Sequence, residues 1–222
     1  MTTITMAVQE RRQDVTVLFV DIVGFTSLVD RLDCAEVRAL QRDYFSVVSG
    51  VVRACGGIVE KYVGDAVMAV FGAGEDGFGP EAAASAVKAG LSVQESLRGR
   101  LLAGRFRVKT RVGLATGEVI VDPMAAFDGG YAMVSGSVVA TAARLQAYAP
   151  HDTVVVCSAT REATATRIAY QELPPVSVPG KSRPLDLFRA LQPQTMPRTM
   201  PTAVGQRTVQ IMPRTGPLIG VS

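Results

Sequence analysis

A chain of 222 residues, 48% hydrophobic and 19% charged, is sized for one globular domain with a substantial core and is not disordered overall. Its formal charge of +3 comes from the C-terminal stretch: after Gln192 stand Arg198, Arg207 and Arg214 and no acid, so the rest is balanced and does not read as a nucleic-acid binder. Cys34, Cys55 and Cys157 are too widely spaced for a disulfide framework or a CxxC metal site, and one histidine, His151, leaves no zinc site or Ser/His/Asp triad unless a partner chain contributes.

Residues 1–12 read as a polar leader without the apolar core of a signal peptide, and no apolar run reaches the roughly 18–20 residues of a membrane span. The expected location is therefore cytoplasmic, with no membrane contact. Val15 to Val20 is a β-branched and aromatic run that predicts a buried strand ending on Asp21, followed by Ile22, Val23 and Gly24. Thr26 to Cys55 carries apolar residues at helical spacing, with Thr26-Ser27 as its cap and Gly56-Gly57 as its stop. The backbone amides of Gly24, Phe25 and Thr26 would face an anion placed there.

Ile58 to Phe71 reads as a hairpin turning at Gly64-Asp65. The Gly-rich stretch from Gly72 to Pro80 lacks the Lys-Ser/Thr ending of a phosphate loop and predicts a plain connection. A second helix is expected from Pro80 to Leu102, then strands over Arg107 to Ala115 and Gly117 to Val121, and an irregular excursion from Asp122 to Tyr131. Gly136 to Tyr148 predicts a helix whose Ala140, Ala143, Arg144 and Ala147 share one side, a small-residue face carrying one charge. A strand over Thr153 to Cys157, a short helix over Ser158 to Thr166, a strand over Ile168 to Leu173 and a hairpin-like pair from Val176 to Ala190 complete the domain. That order predicts an α+β fold with a ferredoxin-like core: a mostly antiparallel sheet with helices on one side.

Asp21 at a strand end and Asp65 at a turn are each ordinary placements for aspartate. If the two strands are neighbours, both carboxylates stand at one sheet edge, where two hard divalent cations could be held against a triphosphate.

The runs Phe19-Val20-Asp21-Ile22-Val23-Gly24-Phe25-Thr26 and Glu60-Lys61-Tyr62-Val63-Gly64-Asp65-Ala66-Val67-Met68-Ala69-Val70-Phe71 resemble the class III nucleotidyl cyclase catalytic domain, and Met133-Val134-Ser135-Gly136 resembles its bacterial subgroup. The resemblance covers roughly residues 13–191. It implies that Asp21, Asp65 and the Ile22 carbonyl hold two Mg²⁺ or Mn²⁺ ions, that Lys61 selects adenine, and that Arg144 stabilises the transition state. It also implies a head-to-tail homodimer, with metal and adenine residues from one chain and the Arg144 helix from the other.

The sequence departs from the family pattern in three places. Val139-Ala140-Thr141-Ala142-Ala143-Arg144 has Ala140 where an asparagine orients the ribose, Met133 stands at the second base-reading position, and Pro179 replaces a phosphate-binding lysine, leaving Arg111 and Lys181 as substitutes. A weak metal-dependent adenylyl cyclase that converts ATP to cyclic AMP and pyrophosphate is the leading expectation. The alternative is a degraded pseudo-cyclase that binds nucleotide or dimerises to regulate a partner. A diguanylate cyclase is disfavoured because no Gly-Gly-Asp/Glu-Glu-Phe turn occurs.

Residues 192–222 hold five prolines and repeat Met-Pro-Arg-Thr at 196–199 and 212–215, the composition of a flexible tail. The repeated Arg-Thr pairs read as kinase targets or a docking arm for a protein partner, against a plain linker.

Overall fold

The computed structural model describes residues 10–73, 79–122, 134–177 and 184–191. The 72–80 connection falls mostly outside the described residues. So do Met133, Pro179, Lys181, most of the 122–131 excursion, the tail and all but the end of the leader.

The first strand, β1 (Arg11–Ile22), begins inside the span read as leader, because Arg11 and Arg12 pair with Val121 and Ile120 of β4 (Thr110–Val121). β2 (Ile58–Val63) and β3 (Ala66–Phe71) form the expected hairpin, and β3 lies against β1 with Phe19 opposite Met68. The sheet order is β2-β3-β1-β4-β6-β8-β7, where β6 is Thr153–Val156, β7 is Tyr170–Val176 and β8 is Leu185–Ala190. A two-residue strand β5 (Val134–Ser135), not expected from the sequence, pairs with β4. All pairings are antiparallel except β4 with β6. The first four long strands and their two crossover helices give the β2-β3-β1-β4 order of a ferredoxin-like core.

Alternation sends the two sides of β1 into different cores. Leu18, Val20 and Ile22 pack with Leu40, Tyr44 and Val48 of α2 (Cys34–Ala54) and with Ala86, Val87 and Val93 of α3 (Pro80–Leu97). Val15 and Val17 pack instead with Val138, Ala142 and Leu145 of α4 (Ser137–Tyr148). The one-sided arrangement expected from sequence is therefore incomplete, since α4 covers the face opposite α2 and α3. This explains why β1 reads as a continuous apolar run: both of its faces are buried.

Three other boundaries differ from the sequence reading. The helix expected from Thr26 is two helices, α1 (Phe25–Val29) and α2, because Asp33 accepts from the Glu36 amide at 2.8 Å while the Glu36 carboxylate takes the Asp33 amide at 3.2 Å. That reciprocal box starts α2, and Thr26 and Ser27 cap nothing. α3 stops at Leu97 rather than Leu102. β4 is one strand rather than two, because Gly117 stays in register with Val15 and lies close under Val138 of α4. β7 tolerates Pro174 and Pro175 because it lies at the edge of the sheet. A last short helix, α5 (Ser158–Thr164), follows β6.

The tightest approach in this packing is α4 on β4 at Gly113. A Cβ there would stand 2.1 Å from the Gln146 backbone nitrogen and 2.5 Å from the Ala142 carbonyl oxygen. Gly113→Ala is expected to cost about 3 kcal/mol. That corresponds to roughly 6–12 °C of thermal midpoint for a chain of this size. Gly50→Ala, on an exposed part of α2 with open space around it, is expected to gain up to about 1 kcal/mol. Melting curves of the two variants check both signs, and a wild-type-like Gly113→Ala would contradict the seating of α4.

Candidate functional site

β1 delivers Asp21 to the rim of the sheet, and the β2–β3 turn delivers Asp65 beside it. Gly64, at φ +65°, takes the first place of that two-residue turn, a conformation that costs other residues energy. The turn is tied down twice. Gln41 of α2 donates to the Gly64 carbonyl at 3.3 Å, and Asp65 Oδ2 accepts the Ile22 amide at 3.0 Å. The expectation that both carboxylates share one edge is met: β1 and β3 are neighbours with Val20 opposite Val67, which sets Asp21 and Asp65 at the same rim, close enough for Asp21 to act on the Asp65 carboxyl.

Two carboxylates this close cannot both ionise cheaply. Partial burial, then the hydrogen bond and negative charge of Asp21, push the Asp65 carboxyl up to about 7, against the opposing pull of the Ile22 amide. Tyr44 reaches the same place from α2. Burial first, and then the charges of Asp21 and Asp65, hold its hydroxyl well above the usual tyrosine range, and that hydroxyl has no hydrogen-bond partner among the described residues. The donor set fits a hard divalent cation: two oxygen ligands repelling each other, with no basic side chain among the residues acting on Asp65. Among the described residues no third His, Cys, Asp or Glu joins the pair. A cation here would take its other ligands from the backbone, water or a bound phosphate.

Lys61 stands opposite Met68, which stands opposite Phe19, so Lys61 shares the sheet face of Phe19 and Asp21. Its ammonium is 3.3 Å from Glu60 Oε2, and the Glu60 side chain is 0% exposed. Both Glu60 oxygens lack hydrogen-bond geometry to any described partner, so the contact is an ion pair at a strand irregularity and not a directed bond.

Arg111 pairs with Asp21 across β1 and β4, yet its guanidinium turns to the end of α4, donating to the Ala147 carbonyl at 3.3 Å and meeting His151 Nε2 at 3.1 Å. Gln146 of α4 fills the space instead, its Nε2 donating to Asp21 Oδ2 at 3.1 Å. Arg144 is two residues earlier, so it points to the other side of the helix. It is half-buried and Ala140 is exposed. The structure thus brings Asp21, Ile22 and Asp65 together, sets Lys61 on the same sheet face two strands from β1, and leaves Arg144 and Ala140 facing outward. Gly24, Phe25 and Thr26 lie just beyond β1, at the start of α1. A hollow of about 260 Å³ lined by Gln94, Arg98, Arg107, Lys109 and Asp152 includes neither carboxylate.

Gln146, Tyr44 and Glu60 escaped the sequence reading. Glu60 had a signal, a charge in an apolar strand beside Lys61. Gln146 and Tyr44 had none, because their importance lies in contacts across 125 residues and across the sheet.

Comparison with known proteins bears on the family and the fold. The family model described as "Adenylate and Guanylate cyclase catalytic domain" matches residues 7–190. An uncharacterized protein of Mycobacterium tuberculosis is 32% identical over 195 residues, which are 86% of this chain and 33% of that protein. Adenylate cyclase 1 of Rhizobium meliloti is 28% identical over 190 residues, 81% of this chain and 28% of that one. The chain spans about a third of the length of these curated relatives. Among solved structures, the guanylyl cyclase Cya2 superposes with a TM-score of 0.75 at 24% identity, covering 85% of this chain and 97% of that one. The adenylyl cyclase CyaB from P. aeruginosa gives 0.73 at 24%, covering 84% and 98%. At such identities these two carry the fold alone.

The raised Asp65 carboxyl has a measurable consequence. The Asp65 carboxyl binds its proton up to about 7 when folded and only to about 3.8 when free, so the folded state holds more protons between those values. This group therefore lowers stability as pH rises from about 4 to about 7, and its effect is constant above that window. In metal-free buffer, urea midpoints of the wild type should fall relative to Asp65→Asn across that range. Parallel curves would show that the two carboxylates are not in contact.

Proposed function

The chain belongs to the adenylate and guanylate cyclase catalytic domain family, and from that premise we propose that it is a weak, metal-dependent adenylyl cyclase working at composite sites of a homodimer. The observation that carries this reading is the carboxylate pair, Asp21 with Asp65, at one rim of the sheet with Lys61 on the same face. The reaction is an in-line displacement: the ribose 3′-oxygen of ATP bonds to the α-phosphorus, the bond to pyrophosphate breaks, and the 3′-proton leaves to solvent.

Asp21 and Asp65, with the Ile22 carbonyl, would hold one or two Mg²⁺ or Mn²⁺ ions. Such ions, when bound, lower the pKa of the 3′-hydroxyl and screen the leaving pyrophosphate. Lys61, kept in place by the buried Glu60 carboxylate, donates to a ring-nitrogen acceptor of adenine. The amides of Gly24, Phe25 and Thr26 face the polyphosphate. Arg111 is engaged at the end of α4 in this chain, which leaves Lys181 as the better substitute for the missing phosphate-binding lysine.

Arg144 points away from its own chain's Asp21, and that direction supports a partner chain as the one it serves. Ala140 lies one turn earlier, where it cannot donate to the ribose. With Met133 at the second base-reading position, selectivity rests on Lys61.

The test is product analysis with ATP and GTP, in Mg²⁺ and Mn²⁺, across protein concentration. Cyclic AMP from ATP is expected, rising more steeply than linearly with protein concentration and lost in Asp21→Ala and Asp65→Ala. Ala140→Asn should raise turnover by a factor on the order of 10 to 10², part of what a positioned donor is worth in comparable sites. ATP binding without turnover, even in Ala140→Asn, would overturn the enzyme reading in favour of a nucleotide-binding regulator.

A further inference from the structure

We propose that Gln146 is the positioning residue for Asp21: its neutral amide sets the direction of the carboxylate and leaves the negative charge free for a divalent cation. The inference rests on the metal-holding role of Asp21 given above and extends it to α4 of the same chain.

Three observations converge on Gln146. Its Nε2 donates to Asp21 Oδ2 at 3.1 Å, in a half-buried place. The backbone that carries it has no play, because Gly113 lies directly beneath, where even a Cβ would come within 2.1 Å of the Gln146 nitrogen. The one basic side chain that strand register places opposite Asp21, that of Arg111, is drawn away to the Ala147 carbonyl and His151. A guanidinium on Asp21 would compete with a metal ion for the same oxygens. An amide fixes the rotamer without neutralising it.

Asp65 is treated the same way from the other side. Its Oδ2 takes a neutral donor, the Ile22 amide, at 3.0 Å. Each carboxylate therefore has one oxygen held by an uncharged N–H, and neither of these contacts is to a cationic side chain. Partners of metal ligands in this role are typically worth a factor of about 10 to 100 in metal affinity.

The test is Mn²⁺ binding to the full chain without nucleotide, followed by isothermal titration calorimetry, alongside the Mn²⁺ dependence of turnover. Gln146→Met keeps length and helix propensity but has no donor. Its Mn²⁺ dissociation constant should rise about 10-fold, and the Mn²⁺ concentration for half-maximal turnover should rise with it. Gln146→Lys, which places a cation on Asp21, should weaken Mn²⁺ binding further than Gln146→Met and recover part of the loss at high ionic strength. A merely structural role would lower the thermal midpoint of either variant and leave Mn²⁺ affinity unchanged. Wild-type Mn²⁺ affinity in Gln146→Met, with binding lost in Asp21→Ala, overturns the positioning role and spares the cyclase reading. A wild-type chain that binds Mn²⁺ no better than Asp21→Ala overturns both.

Discussion

The fold sets two carboxylates at one rim, close enough for one to act on the other, and gives neither a cation among the described residues. That constraint organises the rest of the rim. In water, two carboxylates repel and part, but here one ends a strand buried on both faces and the other sits in a two-residue turn, so neither backbone can retreat. A proton held on Asp65 up to about pH 7 relieves the pair when no metal is present. The neutral donors around it, the Ile22 amide and the Gln146 side chain, orient the oxygens without relieving the charge. Tyr44 adds a buried hydroxyl to the same field. The folded chain thus stores an electrostatic cost that a divalent cation would remove, which is the property expected of a binding site and not of a structural ion pair.

α4 links this site to the outside. On its inner side Ala142 and Leu145 fill the second core, and the backbone at Ala142 and Gln146 settles on Gly113. On its outer side stand Ala140, Ala143, Arg144 and Ala147, none of them fully buried. One helix therefore faces two ways, with Gln146 toward the aspartate of its own chain and Arg144 toward whatever covers the alanine face. A second copy of the chain suits that face because small side chains let another backbone approach closely. Because α4 is seated by backbone contact and not by flexible side chains, a shift on one side would be felt on the other.

Much of this was legible in the sequence, for physical reasons that differ from element to element. β1, the β2–β3 hairpin and α4 declare themselves because their periodicity and turn chemistry are local. Asp21 and Asp65 could be matched because both sit at chain-defined places, a strand end and a Gly-Asp turn. The break at residues 30–33 was hidden because the apolar rhythm runs on across it, and the Asp33–Glu36 capping box that decides the matter is polar. Gly117 suggested a strand end but marks the approach of α4, since glycine serves close packing as readily as turning. That helices cover both faces was implicit in the unbroken apolar run of β1, a signal that alternation-based reading passes over. Gln146 had no sequence signal at all: a glutamine on a helix is an ordinary solvated residue until a strand from the other end of the domain is laid beside it.

Ala140 is the strongest argument against catalysis, and its weight can be judged by magnitude. A single positioned donor in a comparable site contributes a factor on the order of 10² to 10³, while enzymes accelerate reactions by at least about 10⁶. On the proposed reading, removing one donor would leave a slow enzyme and not an inert one, provided the charge-handling groups remain. Asp21, Asp65, Lys61 and Arg144, the groups that the proposed reading assigns to that task, are present, and the Asp65 carboxyl is raised by burial and by Asp21. A chain that had abandoned the chemistry would gain stability by replacing either aspartate with a neutral residue, because nothing in the core depends on that repulsion. An unfavourable pair beside a missing ribose donor therefore supports the proposed reading of a slow cyclase over that of an inert scaffold.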